Sequence, residues 1–394
     1  MKAIPLARLT PLHPHPSVMR SLQLDQGDLS LRRAWPVRNG RLTLEYLSAD
    51  GEIIAARRFG RSIEEKTALS GAAQELGRRG DLGTVGVMPE LGMLLLRGGA
   101  DLRLRPLARL LTADGAGLLA HRAERRAVVR RKRGRTVVYA KVVPPSRVEM
   151  QVRRAGAVAD VPIRVPRLLG VRLEKGLTTW SALPGRPLGE VIGEDPRDVG
   201  RRVGEMTRAL HDFVPSVDLP IHGPGDEMSV VEEWVQRLAG HFPAPALSQY
   251  LAELATGLGE PPTHLKLIHR DLHDGQILVD DNGEAGLLDL DTLSLGDAAL
   301  DLANLLVHLE LGVLLGSWSV SAARRCAEAL LDGYAPTEET MRRIVPYAAA
   351  ARLRLVCVYA FRPGADPTGH LLESMWRWPV AVGDLIGVTV KAGP

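Results

Sequence analysis

Cysteine is nearly missing from this 394-residue chain: Cys326 and Cys357 are too few and too far apart for a disulfide framework or a zinc site. Both sit in apolar helical patterns, where a thiol behaves as a small buried hydrophobe. Long hydrophobic runs are missing too. No stretch of about 18 uncharged apolar residues occurs, and the most hydrophobic late segment, Val345 to Phe361, carries Arg352 and Arg354. A membrane span is therefore not expected. Met1-Lys2 leads into Pro5 and Pro11 without the apolar core of a secretory signal, so a cytoplasmic location is the expectation. Apolar content of 45% and charged content of 24% argue against disorder, and the length allows about two or three domains.

Acid is scarce in one half and base in the other. Residues 1–180 hold 33 Lys and Arg against 16 Asp and Glu, a net +17; the remainder holds 17 against 30, a net −13, and the two halves sum to +4. A basic half facing an acidic half suits an anionic nucleotide on one side and a metal or a cationic acceptor on the other. Nucleic acid is the competing partner, through eight Lys or Arg in the fourteen positions 122–135, but that segment has no aromatic residue for base stacking.

From Leu29 the pattern is β. Residues 34–38, 41–47 and 52–59 read as a meander with turns at Asn39-Gly40 and Ala49-Asp50-Gly51. A helix around Ile63 to Leu76 and a strand at Met93 to Arg97 follow, and residues 1–105 form a subdomain of their own. His13 and His15, in the lead before it, are read as carrying no metal. Leu102 to Leu111 is a helical bridge. Three strands follow, at 118–122, 126–131 and 136–143, then a helix over 146–158 and two strands at 165–170 and 177–183. The turn His121 to Arg126 contains no glycine. Beyond residue 184 the period is helical: Val199, Val203, Met206, Leu210 and Phe213 share one face, and Ser229 to Glu232 reads as a capping box. Asp226, Glu227, Glu232 and Glu233 either attract a cationic substrate or serve a helix start. Further helices are expected at 302–315, 322–334 and 340–361.

The stretch from Lys266 to Leu306 carries the chemistry. Two short apolar runs flank Asp280-Asp281-Asn282-Gly283, a hairpin signal, with Asp271 and Gln276 at one end and Asp289 at the other. An antiparallel pair can bring these three together. Two carboxylates and an amide oxygen suit a hard cation such as Mg²⁺, leaving one carboxylate to deprotonate a hydroxyl.

In order, the chain reads His269-Arg270-Asp271-Leu272-His273-Asp274-Gly275-Gln276, Leu288-Asp289-Leu290-Asp291, Gly296-Asp297 and Asp301-Leu302-Ala303. This resembles the catalytic and metal loops of the aminoglycoside phosphotransferase and choline kinase family. The resemblance implies an α+β, bilobal protein-kinase-like fold, with a small antiparallel N-lobe over 106–183 and a helical C-lobe over 184–394. The N-terminal α/β subdomain is then an addition resembling a cap. It implies an ATP-dependent kinase with Mg²⁺, acting on a small hydroxylated acceptor such as an aminoglycoside, a sugar or an amino alcohol.

By the same resemblance Asp271 is the base, and Asp289 and Gln276 hold the metal, although Gln276 stands where the family has Asn. His269, His273 and Asp301 support the loop. Lys141 is the lysine of the ATP phosphates, Glu149 its ion-pair partner, and Arg126 a phosphate contact from the glycine-free turn. Ser181 C=O and Leu183 N–H are the hinge groups for adenine. The missing glycines and Gln276 leave a nucleotide-binding pseudokinase as the alternative.

Overall fold

The computed structural model describes residues 29–362, apart from 38–40, 60–61, 79–82, 84, 90 and 240–246. The Asn39-Gly40 turn, His13 and His15 therefore lie outside the described residues. Two antiparallel five-stranded sheets come first in the chain. The first holds β1 (Leu29–Pro36), β2 (Leu42–Ser48), β3 (Ile53–Arg58), β4 (Val85–Met88) and β5 (Met93–Leu96), with helix α1 (Ile63–Arg78) between β3 and β4. Helix α2 (Leu107–Leu111) leads to the second, made of β6 (Gly117–Arg122), β7 (Arg126–Arg133), β8 (Thr136–Val142), β9 (Leu168–Arg172) and β10 (Leu177–Ser181), with α3 (Val148–Ala157) between β8 and β9. Strand β4 is absent from the sequence expectation: Val85-Gly86-Val87-Met88 is too short and too poor in β-branched residues to stand out.

The pleat separates two cores in the first sheet. Ala55, Leu94 and Leu96 pack with Leu69 and Leu76 of α1, while Leu42, Leu44, Tyr46, Ile54, Ala56 and Met93 join the core of the large lobe. Both faces are thus covered. In the second sheet, Ala127, Val129, Ala140 and Val142 pack with Leu107 of α2, and the alternate residues Arg126, Val128, Tyr139 and Lys141 face a cavity.

The large lobe is built on α4 (Pro196–Asp212), α5 (Pro224–Ala239), α6 (Ser248–Leu258), α7 (Ala298–Leu314), α8 (Val320–Tyr334) and α9 (Glu338–Tyr359). Helices α4 and α8 approach so closely that a Cβ at Gly204 would sit 2.1 Å from Leu330 O, and one at Gly200 2.3 Å from Cys326 O. Helix α5 starts at Pro224, five residues before the expected capping box, and Ser229 Oγ donates to Gly225 O from inside the helix. Arg352 of α9 forks onto Glu310 of α7 at 2.7 and 3.0 Å, so the arginine that interrupts the apolar run is a buried helix lock. Among the described residues, no helix is long and apolar enough to cross a membrane.

Short strands position the polar loops. β11 (Lys266–Ile268) runs antiparallel to β14 (Ser294–Gly296), and β12 (Ile277–Val279) pairs with β13 (Ala285–Leu287) in the expected hairpin, with Ile277 opposite Leu287.

Candidate active site

The loop after β11 is fixed from below by α7. Asp301 is fully buried and accepts the backbone N–H of His269 at 2.6 Å and of Arg270 at 2.7 Å, with His211 Nε2 at 3.1 Å. One carboxylate therefore satisfies consecutive main-chain donors, and Arg270 takes a left-handed φ of 72° between them. His269 Nε2 reaches Leu288 O at 2.9 Å, tying this loop to the one that carries Asp289. His273 Nδ1 accepts the Gly275 N–H at 3.0 Å, and its ring stacks on His308 with centroids 4.7 Å apart. Burial works to raise the Asp271 carboxyl, but the charges of Arg354, His273 and His269 outweigh it and hold it below the usual carboxylate range.

Gln276, Asp289, Asp291 and Lys141 line one cavity of about 460 Å³ between the lobes, whose apolar walls include Leu119, Val128, Pro166, Leu278 and Leu288. Arg126, Ser181 and Leu183 line it as well. Asp271 stands outside that lining, within electrostatic reach of Asp289 and Arg126. Asp289 takes a left-handed φ of 51° and receives Lys141 Nζ at 2.9 Å and Arg126 Nη1 at 3.0 Å. Burial alone would raise its carboxyl; Lys141 and Arg126 reverse this and hold it far below the ordinary range. Conversely, burial would lower Lys141, and the carboxylates of Asp289 and Asp291 raise it. Gln276 directs its amide nitrogen toward His273 Nε2 at 3.3 Å, so its oxygen is the atom it can offer a cation.

Glu149 is corrected by the geometry. It is exposed on the outer side of α3, and Lys141 pairs instead with Asp289 and with Asp291, the latter also at 2.9 Å. The residue that α3 turns inward is Gln151, which donates to Asp291 Oδ1 at 3.2 Å and accepts from Thr178 Oγ1 at 3.1 Å. Thr178 in turn accepts Trp180 Nε1–H at 2.8 Å. Sequence reasoning misses Gln151 and Asp291. A polar residue three positions after the buried Val148, on the apolar face of α3, is the signal that could have found the first.

A phosphotransferase enzyme family model matches residues 115–344. The chain belongs to this phosphotransferase family. The match begins beyond the first sheet and ends within α9. Among solved structures, an aminoglycoside phosphotransferase from Streptomyces rimosus superimposes with a TM-score of 0.51 at 22% identity, over 64% of this chain and 99% of that one. Its complex with ADP and streptomycin gives a TM-score of 0.51 at 24% identity over the same shares, 64% and 99%. A macrolide 2'-phosphotransferase from Brachybacterium faecium reaches 0.46 at 20% identity, over 68% and 94%. At these identities the likeness is one of fold: the bilobal, protein-kinase-like α+β architecture. No curated protein sequence matches the chain.

In this phosphotransferase the first sheet reaches the glycine-free turn between β6 and β7. Glu45, fully buried in β2, accepts the His121 N–H at 3.0 Å. Asp101 faces His121 Nε2 at 2.9 Å, accepts the Glu124 N–H at 2.8 Å, and also accepts the Arg103 and Leu104 N–H groups. Arg57 of β3 pairs with the Glu124 side chain. Glu124 sits at a left-handed φ of 60°, a conformation that glycine would adopt freely and that these contacts hold in a residue with a side chain.

Proposed function

We propose that this phosphotransferase moves the terminal phosphoryl group of ATP to a hydroxyl of a small molecule. The observation that carries the reading is the convergence of Lys141, Asp289 and Gln276, from three separate segments, on one apolar-walled cavity beside Asp271. Adenine fits the apolar part of that cavity, against Ser181 C=O and Leu183 N–H. Lys141 and Arg126, now paired with Asp289, are the cations placed to turn to nucleotide phosphates. Asp289 and Gln276 offer oxygen donors that suit Mg²⁺, which supplies charge neutralisation between the β- and γ-phosphates when bound. Asp271 is ionised at neutral pH and orients the acceptor hydroxyl, taking its proton as transfer proceeds.

The three-part division at residues 105 and 183 belongs to the same reading, with the first part outside the catalytic unit. A second reading is nucleotide binding without turnover. Gln276 where the family has Asn and the neutral Gln151 beside Asp291 favour it.

Mg²⁺-dependent ADP release, measured across aminoglycosides, sugars and amino alcohols, separates the two. Stimulation by one class, reduced on the order of 10²–10⁴-fold in Asp271→Asn, is expected for the kinase. ATP binding with no stimulated release by any class would support the second reading, and no binding would overturn both.

A further inference from the structure

We propose that Arg122, Arg125 and Arg237 form an anion site at the mouth of the cleft, and that the acceptor therefore carries a carboxylate, sulfate or phosphate group beside its reactive hydroxyl. The inference rests on the kinase reading above and names its substrate class.

Register aims the first arginine. Arg122 pairs with Arg126 across β6 and β7, and Val128, two residues on, pairs with Lys141, so Arg122, Arg126 and Lys141 leave the same face of the sheet. Arg126 reaches Asp289; Arg122 lies closer to the turn and stacks on Trp35 of β1, its guanidinium carbon 5.3 Å from the ring centroid. From the large lobe, Arg237 of α5 stacks on Trp234 at 5.1 Å and pairs with Glu233 at 2.6 Å. Both Arg122 Nε and Arg237 Nε are buried with no hydrogen-bond partner.

The charges crowd one another. Burial and the charges of Arg125, Arg126, Arg237 and Arg147 push Arg122 down to about 9, still protonated at neutral pH. Arg125 is lowered by burial, Arg147, Arg237 and Arg103, with Glu233 as the opposing carboxylate. Guanidinium groups from the β6–β7 turn and α5 are thus held together with little negative charge between them, and an anion would relieve the repulsion.

The acids that could have drawn a cation to α5 are engaged locally. Asp226 accepts the Gly223 N–H at 2.9 Å, Glu227 is buried against His222 Nε2 at 2.9 Å, and Glu233 holds Arg237.

Two measurements on the full chain test the site. In the first, tryptophan emission is followed while inorganic phosphate is added to the protein, once without nucleotide and once saturated with Mg²⁺–ADP. Because Trp35 and Trp234 carry the two guanidinium groups, a saturable change in both titrations is expected, and its loss in the double variant Arg122→Gln, Arg237→Gln. In the second, ADP release is compared between gluconate and glucose and between glycerate and glycerol. The acid is expected to exceed its neutral partner by roughly tenfold or more in kcat/KM, with the advantage collapsing in Arg237→Gln and largely kept in Arg237→Lys.

A phosphate response that vanishes once Mg²⁺–ADP is bound would overturn the proposal, because the arginines would then hold nucleotide phosphates. Turnover of neutral or cationic alcohols as good as that of the acids would also overturn it. Absence of Mg²⁺–ADP binding defeats the kinase reading separately, since the nucleotide-free titration still reports on the anion site.

Discussion

The two five-stranded sheets share one plan and differ in what they expose. Each runs three antiparallel strands, a helix and two more strands, in the orders β1-β2-β3-β5-β4 and β6-β7-β8-β10-β9. In each, the third strand presents a cation to a carboxylate on a distant segment: Arg57 to Glu124 and Lys141 to Asp289. The first sheet is covered on both faces, by α1 and by the large lobe, so its pleat places apolar side chains on either side. The second has α2 on one face and leaves the other to the cavity. Topology alone therefore makes no site; an uncovered face bearing polar residues opposite a second lobe does. Arg57 serves as a structural clamp, whereas Lys141 lies where a nucleotide can reach it.

That contrast can be broken at the junction between the sheets. Asp101 and His121 are both fully buried, and Asp101→Ala would also leave the Arg103, Leu104 and Glu124 N–H groups without their acceptor. Removing one partner of a buried pair costs roughly 3–5 kcal/mol. Denaturant unfolding should show a loss of this size, and a change below about 1 kcal/mol, ordinary for a surface substitution, would mean that the sheets are not coupled through this pair.

Paired substitutions sharpen the comparison. Lys141→Met should weaken Mg²⁺–ATP binding by on the order of 10–100-fold, as expected for a lost charge-assisted contact. Arg57→Met should change the same calorimetric titration by less than about threefold, because its charge is directed at Glu124. Equal losses would show that both sheets contribute to the nucleotide site.

Acid should act least. The folded-state carboxyls of Asp101 and Asp289 are both lowered, so their contribution to stability is present above the ordinary value of about 3.9 and is lost as pH falls through the folded value. Neither sheet's carboxylate should produce a stability transition between about pH 5 and 8. A melting temperature that falls steeply across that window in wild type but not in Asp101→Asn would assign a raised value to Asp101 and contradict its placement.

Local pattern and ordered motif make much of the protein legible in the chain itself. Alternation marks strands at β2 and β8, the 3.6-residue period marks α4, and the Asn-Gly cluster marks the β12–β13 hairpin. The ordered residues His269, Asp271, Gln276, Asp289 and Asp301 point to the family that the match over residues 115–344 establishes. Interactions across the chain are not legible in this way. Along α3, Glu149 and Gln151 are two residues apart, about 200° around the axis, and only the docking of that helix turns the amide to Asp291 and the carboxylate outward. Most elements and the order of the catalytic motif are thus set by sequence, because those depend on neighbours along the chain. Packing sets the rest: Asp289 and Asp291 hold Lys141, the first sheet grips the β6–β7 turn, and α5 brings Arg237 to Arg122. Each of those depends on which faces are buried together, and that is fixed only when the whole core packs.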